Sequence, residues 1–268
     1  MGIRIGVVAF AVATLALCGS VAHAVRAADA PGPEKSILDA DQKVVDAAWS
    51  AAHAGGAIAL KDHIFALRTV LDHAPRPYHK IEERLGAVYF RTNDNAEALR
   101  FGLEQTVAAA MAHKSLSVVG LADPYPEAAF LMGSYDNEIG QYEAAMAVLD
   151  EGLVLEPDFP NLISEKGAAV GMMHRNEEAL AIYVDGLAKI DPLTDDRVKA
   201  RFLRGEGFQL VELGRYDEAE KAYRGSLKLE PNHGGALNEL AYIAHVRAGA
   251  AKPQGTVLLN SEDAAKLH

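Results

Sequence analysis

Residues Ala200–Asn232 read ARFLRGEGFQLVELGRYDEAEKAYRGSLKLEPN, and this stretch decides the architecture. Gly207 lies midway along a first helical pattern and Gly214 ends it. Tyr216, Ala219 and Tyr223 then carry a second pattern, which Pro231 closes. A proline there stops the helix because it lacks an amide donor and clashes with the preceding turn. Gly214 supplies the left-handed residue on which helices commonly end. The stretch reads as two antiparallel helices joined by a tight turn.

The same skeleton recurs upstream. It appears as Gly133, Gly140, Tyr142, Ala145, Leu149 and Pro157, and again as Gly167, Ala179 and Tyr183, with Pro192 one place late. Gly133 to Gly167 and Ala145 to Ala179 are both 34 residues. Gly167 to Gly207 and Ala179 to Ala219 are both 40, so the polar stretch Asp191–Asp196 reads as a six-residue insertion. A looser copy is read in Leu85-Gly86, Tyr89, Asn93 and Ala98, with a long second helix or linker near His113–Pro124. Mid-helix glycines let backbones cross closely, and the tyrosines fill space between layers. No hairpin buries its apolar side alone, so several must stack.

A 34-residue helix–turn–helix period with these small and aromatic positions resembles the tetratricopeptide repeat. The resemblance covers residues 78–247 and implies an all-α chain: an α-α superhelix, a solenoid of antiparallel helix pairs. The array is expected over 78–248, ending in a closing helix from Gly235 to Arg247 with Leu237, Leu240, Tyr242 and Ile243 on one side. A helix pair over 36–77 is either a degenerate repeat or a cap. It opens at Ser36 with Asp39 as capping-box partner, breaks at Gly55-Gly56, resumes over Ala57–Ala74 and stops at Pro75 and Pro77. Residues 25–35 read as a flexible lead-in and 249–268 as a mobile tail.

The chain begins with a positive Met1-Gly2-Ile3-Arg4, an apolar run from Ile5 to Leu17 and a small-residue Ala22-His23-Ala24. This is the three-part pattern of a cleavable secretory signal over residues 1–24, cut after Ala24, and its apolar run is short of the ~20 residues a bilayer needs. A periplasmic or secreted location is expected, with no stable membrane insertion after cleavage. Cleavage would remove Cys18, the only cysteine, leaving no disulfide, thiolate metal site or cysteine nucleophile. It would also remove Arg4 and make a chain of net charge −11 one unit more negative. An acidic chain without basic runs is a poor ligand for nucleic acid, whose affinity rests on phosphate neutralisation.

Motifs for catalysis and metal binding do not emerge. His53, His63 and His73 recur every ten residues, with His79 close behind, but that spacing does not line one helix face, and no HExxH pair occurs. No G-x-S-x-G elbow is present. Glu82-Glu83 and Asp195-Asp196 are adjacent, and adjacent side chains on a helix point apart. No enzyme activity, cofactor or metal is expected.

The resemblance also implies where a partner lies: on the inner wall made by the first helices. Its groove positions fall here on Lys80, Glu83, Phe90 and Arg91; on Glu127, Phe130 and Asn137; on Asn161, Ser164 and Met172; on Arg201, Arg204 and Phe208; and on Asn238 and Tyr242. The lysine–asparagine clamp that some family members use for a terminal carboxylate is not reproduced, since Glu83, Phe130 and Ser164 stand at those places. Arg201 and Arg204 could pair with an acidic stretch, and Phe130 and Phe208 could take apolar anchors. The expected function is an exported protein–protein interaction module, a periplasmic adaptor, scaffold or assembly factor with a protein or peptide partner. The alternatives are a structural subunit of a secretion or polysaccharide-export complex and a metal-dependent hydrolase on a helical-repeat scaffold.

Overall fold

The computed structural model describes residues 32–248 apart from 85, 192 and 193. The expected signal segment, most of the expected lead-in and the expected tail lie outside the described residues. The chain forms two compact units, one of residues up to 54 with 62–128, the other of residues 55–61 with 129 onward.

The second unit is a stack of helical hairpins. Helix α4 (Pro124–Glu138) enters it and is followed by α5 (Tyr142–Leu155), α6 (Pro160–Met172), α7 (Asn176–Lys189), α8 (Asp196–Glu212), α9 (Tyr216–Leu229) and α10 (Gly234–Arg247). Each hairpin closes through one recurrent contact. A methyl group at Gly167 would stand 2.8 Å from Tyr183 Cζ, and one at Gly207 would stand 2.9 Å from Tyr223 Cε2. One at Gly133 would overlap Leu149. In all three pairs the large residue follows its glycine by sixteen positions. Contacts between hairpins use a second small position: Gly152 faces Ala129 and Leu162, and Gly186 faces Ile163 and Phe202. Forty residues after Gly186 comes Ser226, fully buried, whose hydroxyl donates to the Tyr223 carbonyl at 2.8 Å. At the far end Leu210, Val211, Ala219, Tyr223, Ala236 and Ile243 form a continuous core.

The turns follow the same register. Gly140 and Gly214 have φ of +75° and +73°, and the equivalent place in the middle hairpin is His174, at φ +59°. Its sequence gave no sign of a left-handed residue, since a β-carbon makes that conformation cost roughly 1–2 kcal/mol. Past the insertion, α8 starts from Asp195, whose carboxylate accepts from the Arg197 amide at 2.8 Å.

The first unit corrects three expectations. Helix α1 (Gly32–Gly55) begins one turn before Ser36, and Pro33 is tolerated there because first-turn amides have no intrahelical partner. The expected helix over Ala57–Ala74 is a 3-10 stretch, Ala57–Asp62, and then α2 (Ile64–Asp72). Most importantly, the looser repeat copy is not a helical hairpin. Strands β1 (Ile81–Arg84), β2 (Ala87–Arg91) and β3 (Ser117–Leu121) form a sheet in that order, β1 antiparallel and β3 parallel to β2. Helix α3 (Asn95–Met111) is the crossover between the parallel pair. The physical reason lies in Ala-Val-Tyr-Phe-Arg: β-branched and aromatic residues in succession, buried on both faces, suit a central strand. Gly86, at φ +77°, turns β1 into β2. The all-α reading holds for the repeat array, which starts at α4 and not at Tyr78, while the first unit adds the small sheet.

The hairpin contact predicts two substitutions of opposite sign. Alanine for glycine inside a helix ordinarily stabilises, but Gly167→Ala should lower stability by about 1–3 kcal/mol because Tyr183 cannot retreat. His174→Gly should raise it by about 1 kcal/mol by relieving the left-handed residue. Urea titrations followed by helical circular dichroism measure both shifts.

Candidate functional site

First helices pack on one another as well as on their own partners: α6 meets α8, and α8 meets α10. No pairing of like extent joins α5 to α7 or α7 to α9 among the described residues. The first helices are therefore the closer set. The stack closes towards them, and their outward face is its inner wall.

A polar ladder runs along this wall. Asn137 Nδ2 on α4 donates to the carbonyl of Glu165 at 3.1 Å and to its Oε2 at 3.0 Å. Arg201 Nη1 on α8 donates to Asn161 Oδ1 at 3.0 Å and to Ser164 Oγ at 3.4 Å. Arg204 pairs with Glu230, just past α9. Burial raises the Glu165 carboxyl above its ordinary value, while the Asn137 hydrogen bond and the Arg201 charge act the other way. Burial also lowers the Arg201 guanidinium, which Glu165 opposes. The ladder thus ties three successive first helices together from within.

Several expected groove residues have different roles. Phe90 and Arg91 lie on β2, both buried: Phe90 stacks on Phe101 with ring centroids 4.2 Å apart, and Arg91 Nη2 reaches Glu34 at 3.2 Å. They are not groove positions, because residues chosen by helical register fall on a strand. Phe130 and Phe208 are each only 8% exposed, too little to anchor a ligand from solvent. Asn137, Arg201 and Arg204 do stand on the wall, but Asn137 Nδ2 and both guanidiniums engage other residues of the chain. Met172 and Asn238 are exposed, and Tyr242 leans on the terminal core.

The wall carries carboxylates that the sequence reading passed over. Burial and then the charge of Glu212 raise the carboxyl of Glu239. Burial, then Tyr216, Glu212 and Glu239 raise the phenol of Tyr242. Glu239 Oε2 and the Tyr242 hydroxyl are enclosed and lack a hydrogen-bond partner. A helical signal existed: Arg201, Arg204, Phe208 and Glu212 follow one face of α8, and Glu239 and Tyr242 are three apart on α10. That the charge of Glu212 on α8 bears on Glu239 on α10 had no such signal.

The histidines do not converge. His53 stacks on Trp49, His63 precedes α2, and His73 Nδ1 bonds buried Asp41 at 3.0 Å. Among the described residues no three of His, Cys, Asp and Glu are placed to share a metal ion. None of the described helices is long and apolar enough to cross a membrane.

Residues 210–233, from the end of α8 through α9, match the family model of the tetratricopeptide repeat. The STIP1 homolog of Dictyostelium discoideum is 30% identical over 128 residues, which is 47% of this chain and 22% of that protein. The chain therefore spans about a fifth of that relative's length. Two solved structures are similar over 46% of this chain and 93% of their own, each at 23% identity. They are the first TPR of Spaghetti (RPAP3) bound to the HSP90 peptide SRMEEVD, with a TM-score of 0.41, and the first TPR domain of human RPAP3, with 0.42.

The raised carboxyl of Glu239 has a defined pH signature. Its folded value lies above its unfolded one, so the native state keeps a proton that the unfolded chain has already lost. This contribution is greatest at acid pH and fades as pH rises past the ordinary glutamate range through the raised value. Glu239→Gln should therefore raise the melting temperature at about pH 8 and leave it nearly unchanged at about pH 4. Thermal melts across that range test the sign.

Proposed function

We propose that this chain is an exported interaction module whose first-helix wall holds a cationic segment of a partner protein. One observation carries the reading: Glu239 Oε2 is enclosed without a hydrogen-bond partner and feels the charge of Glu212, while Arg201 and Arg204 are engaged by Asn161, Ser164 and Glu230. Neighbouring carboxylates repel, and an ammonium or guanidinium laid beside them relieves the repulsion and fills the open acceptor on Glu239. The Tyr242 hydroxyl beside them can accept or donate. An acidic ligand would meet the carboxylates of Glu212 and Glu239 with Arg201 and Arg204 already engaged. A net charge of −11 speeds the approach of a basic partner.

Exposed Met172 and Leu237 offer apolar contacts on the same set of first helices, so a basic amphipathic segment fits better than a purely charged one. The address rests on the pattern of residues 1–24. With that address the partner is an envelope or secreted protein, and an adaptor or assembly role is the reading it supports.

The test uses the mature chain as bait against envelope extract, with mass spectrometry of the captured proteins. A specific partner should be retained by Arg204→Met. It should be weakened about tenfold or more by Glu212→Gln combined with Glu239→Gln, in a manner that declines with salt. Capture unaffected by the glutamine pair would reject this wall as the binding site. A blocked export assay, with residues 1–24 retained in the cell, would reject the address alone.

A further inference from the structure

Helix α3 turns one side to the sheet and leaves an apolar ridge on another. Phe101 stacks on Phe90, and Gly102 is buried. Glu97 is held by Lys80 at 3.0 Å and by the Thr92 hydroxyl at 2.6 Å. By contrast Leu99, Leu103, Val107 and Met111 are 67, 63, 49 and 79% exposed. They recur every fourth residue, so they form one continuous ridge about 18 Å long. Exposed Ala96, Ala108 and Ala110 flank it, and such small neighbours leave a groove into which another ridge can settle. Four large apolar side chains in unbroken series on a helix are not the scattered apolar surface of an ordinary monomer.

We propose that this ridge is the seat of a second copy of the chain, packed α3 against α3 in antiparallel sense. The ridge matches its own reverse. About a two-fold axis near Gln105, Leu99 of one copy meets Met111 of the other, and Leu103 meets Val107. Charge selects the same direction. Exposed Asp94 caps the start of α3, and exposed His113 and Lys114 follow its end. Antiparallel packing sets Lys114 of each copy towards Asp94 of the other, whereas parallel packing sets like beside like. It also opposes the two helix dipoles favourably. An anionic lipid surface is a poorer occupant, because α3 carries exposed Glu104 and, of basic residues, Arg100 alone, where a lipid-binding helix needs a row of them. One ridge buries less than the roughly 800 Å² per partner of a standard interface, so association should be reversible and on the order of micromolar.

Sedimentation velocity of the full-length chain from about 1 to 200 µM, a range that brackets micromolar affinity, tests this. The expected result is a concentration-dependent monomer–dimer shift that Leu103→Glu with Val107→Glu abolishes while the circular dichroism stays unchanged. In a Cys18→Ser background, Leu99→Cys mixed with Met111→Cys should form a disulfide-linked dimer, and Leu99→Cys alone should not. A chain that is monomeric at every concentration overturns the proposal, as does a dimer insensitive to the glutamate pair. Crosslinking of Leu99→Cys to a cysteine placed at Leu258 of the same molecule also overturns it, since the chain's own C-terminal segment would then occupy the ridge.

Discussion

Where Gly133, Gly167 and Gly207 receive Leu149, Tyr183 and Tyr223, the two helices of a hairpin approach so closely that no β-carbon fits between them. Every other relation in the array depends on this steric constraint. It fixes the rotation of each helix about its axis, because only the side bearing the glycine can face the partner. With rotation fixed, Gly152, Gly186 and Ser226 fall on the opposite seam, where the next hairpin comes up. A single small-to-large contact, repeated at constant spacing, thereby sets both the hairpin and its stacking.

The constraint also determines what the inner wall offers. First helices brought close together desolvate the residues between them, and a desolvated polar group must find a partner. The Asn137 amide nitrogen and Arg201 find theirs in a neighbouring repeat, and Arg204 finds Glu230 at the end of its own hairpin. Arg201 and Arg204 are consequently structural, while Glu239 keeps an enclosed oxygen without a hydrogen-bond partner. Truncating one member of the ladder would strand the other in a place with little water, so these pairs weigh on stability more than surface ion pairs such as Arg175 with Glu178.

The first unit solves the same problem with different parts. Its central strand is buried on both sides and carries Arg91, whose charge Glu34 meets while Arg84 engages Glu34 from another side. Tyr125, its phenol pushed up to about 12 chiefly by burial, stands near Arg91, Asp41 and Asp123, and Tyr78 donates to Asp123. This network ties the sheet to α1 and to the start of α4. It leaves α3, attached to the sheet by one side, with its apolar ridge unsatisfied.

The sequence by itself determined the helical hairpins of residues 124–247, their 34-residue period, the six-residue insertion and the turns at Gly140 and Gly214. Each of these is a local requirement on backbone geometry or helix periodicity, and such requirements leave residues at fixed offsets. It did not determine that residues 81–91 pair as strands, because β2 becomes central only when β3, some 30 residues later, lies beside it. Nor did it determine that His174 takes the glycine's conformation, which the packing of α6 and α7 imposes against the residue's own preference. The fate of the groove residues was decided by tertiary structure for the same reason. Register places Arg201 and Arg204 on the wall, but whether a guanidinium faces solvent or a neighbouring carboxylate depends on groups tens of residues away, brought within reach only by the stacking.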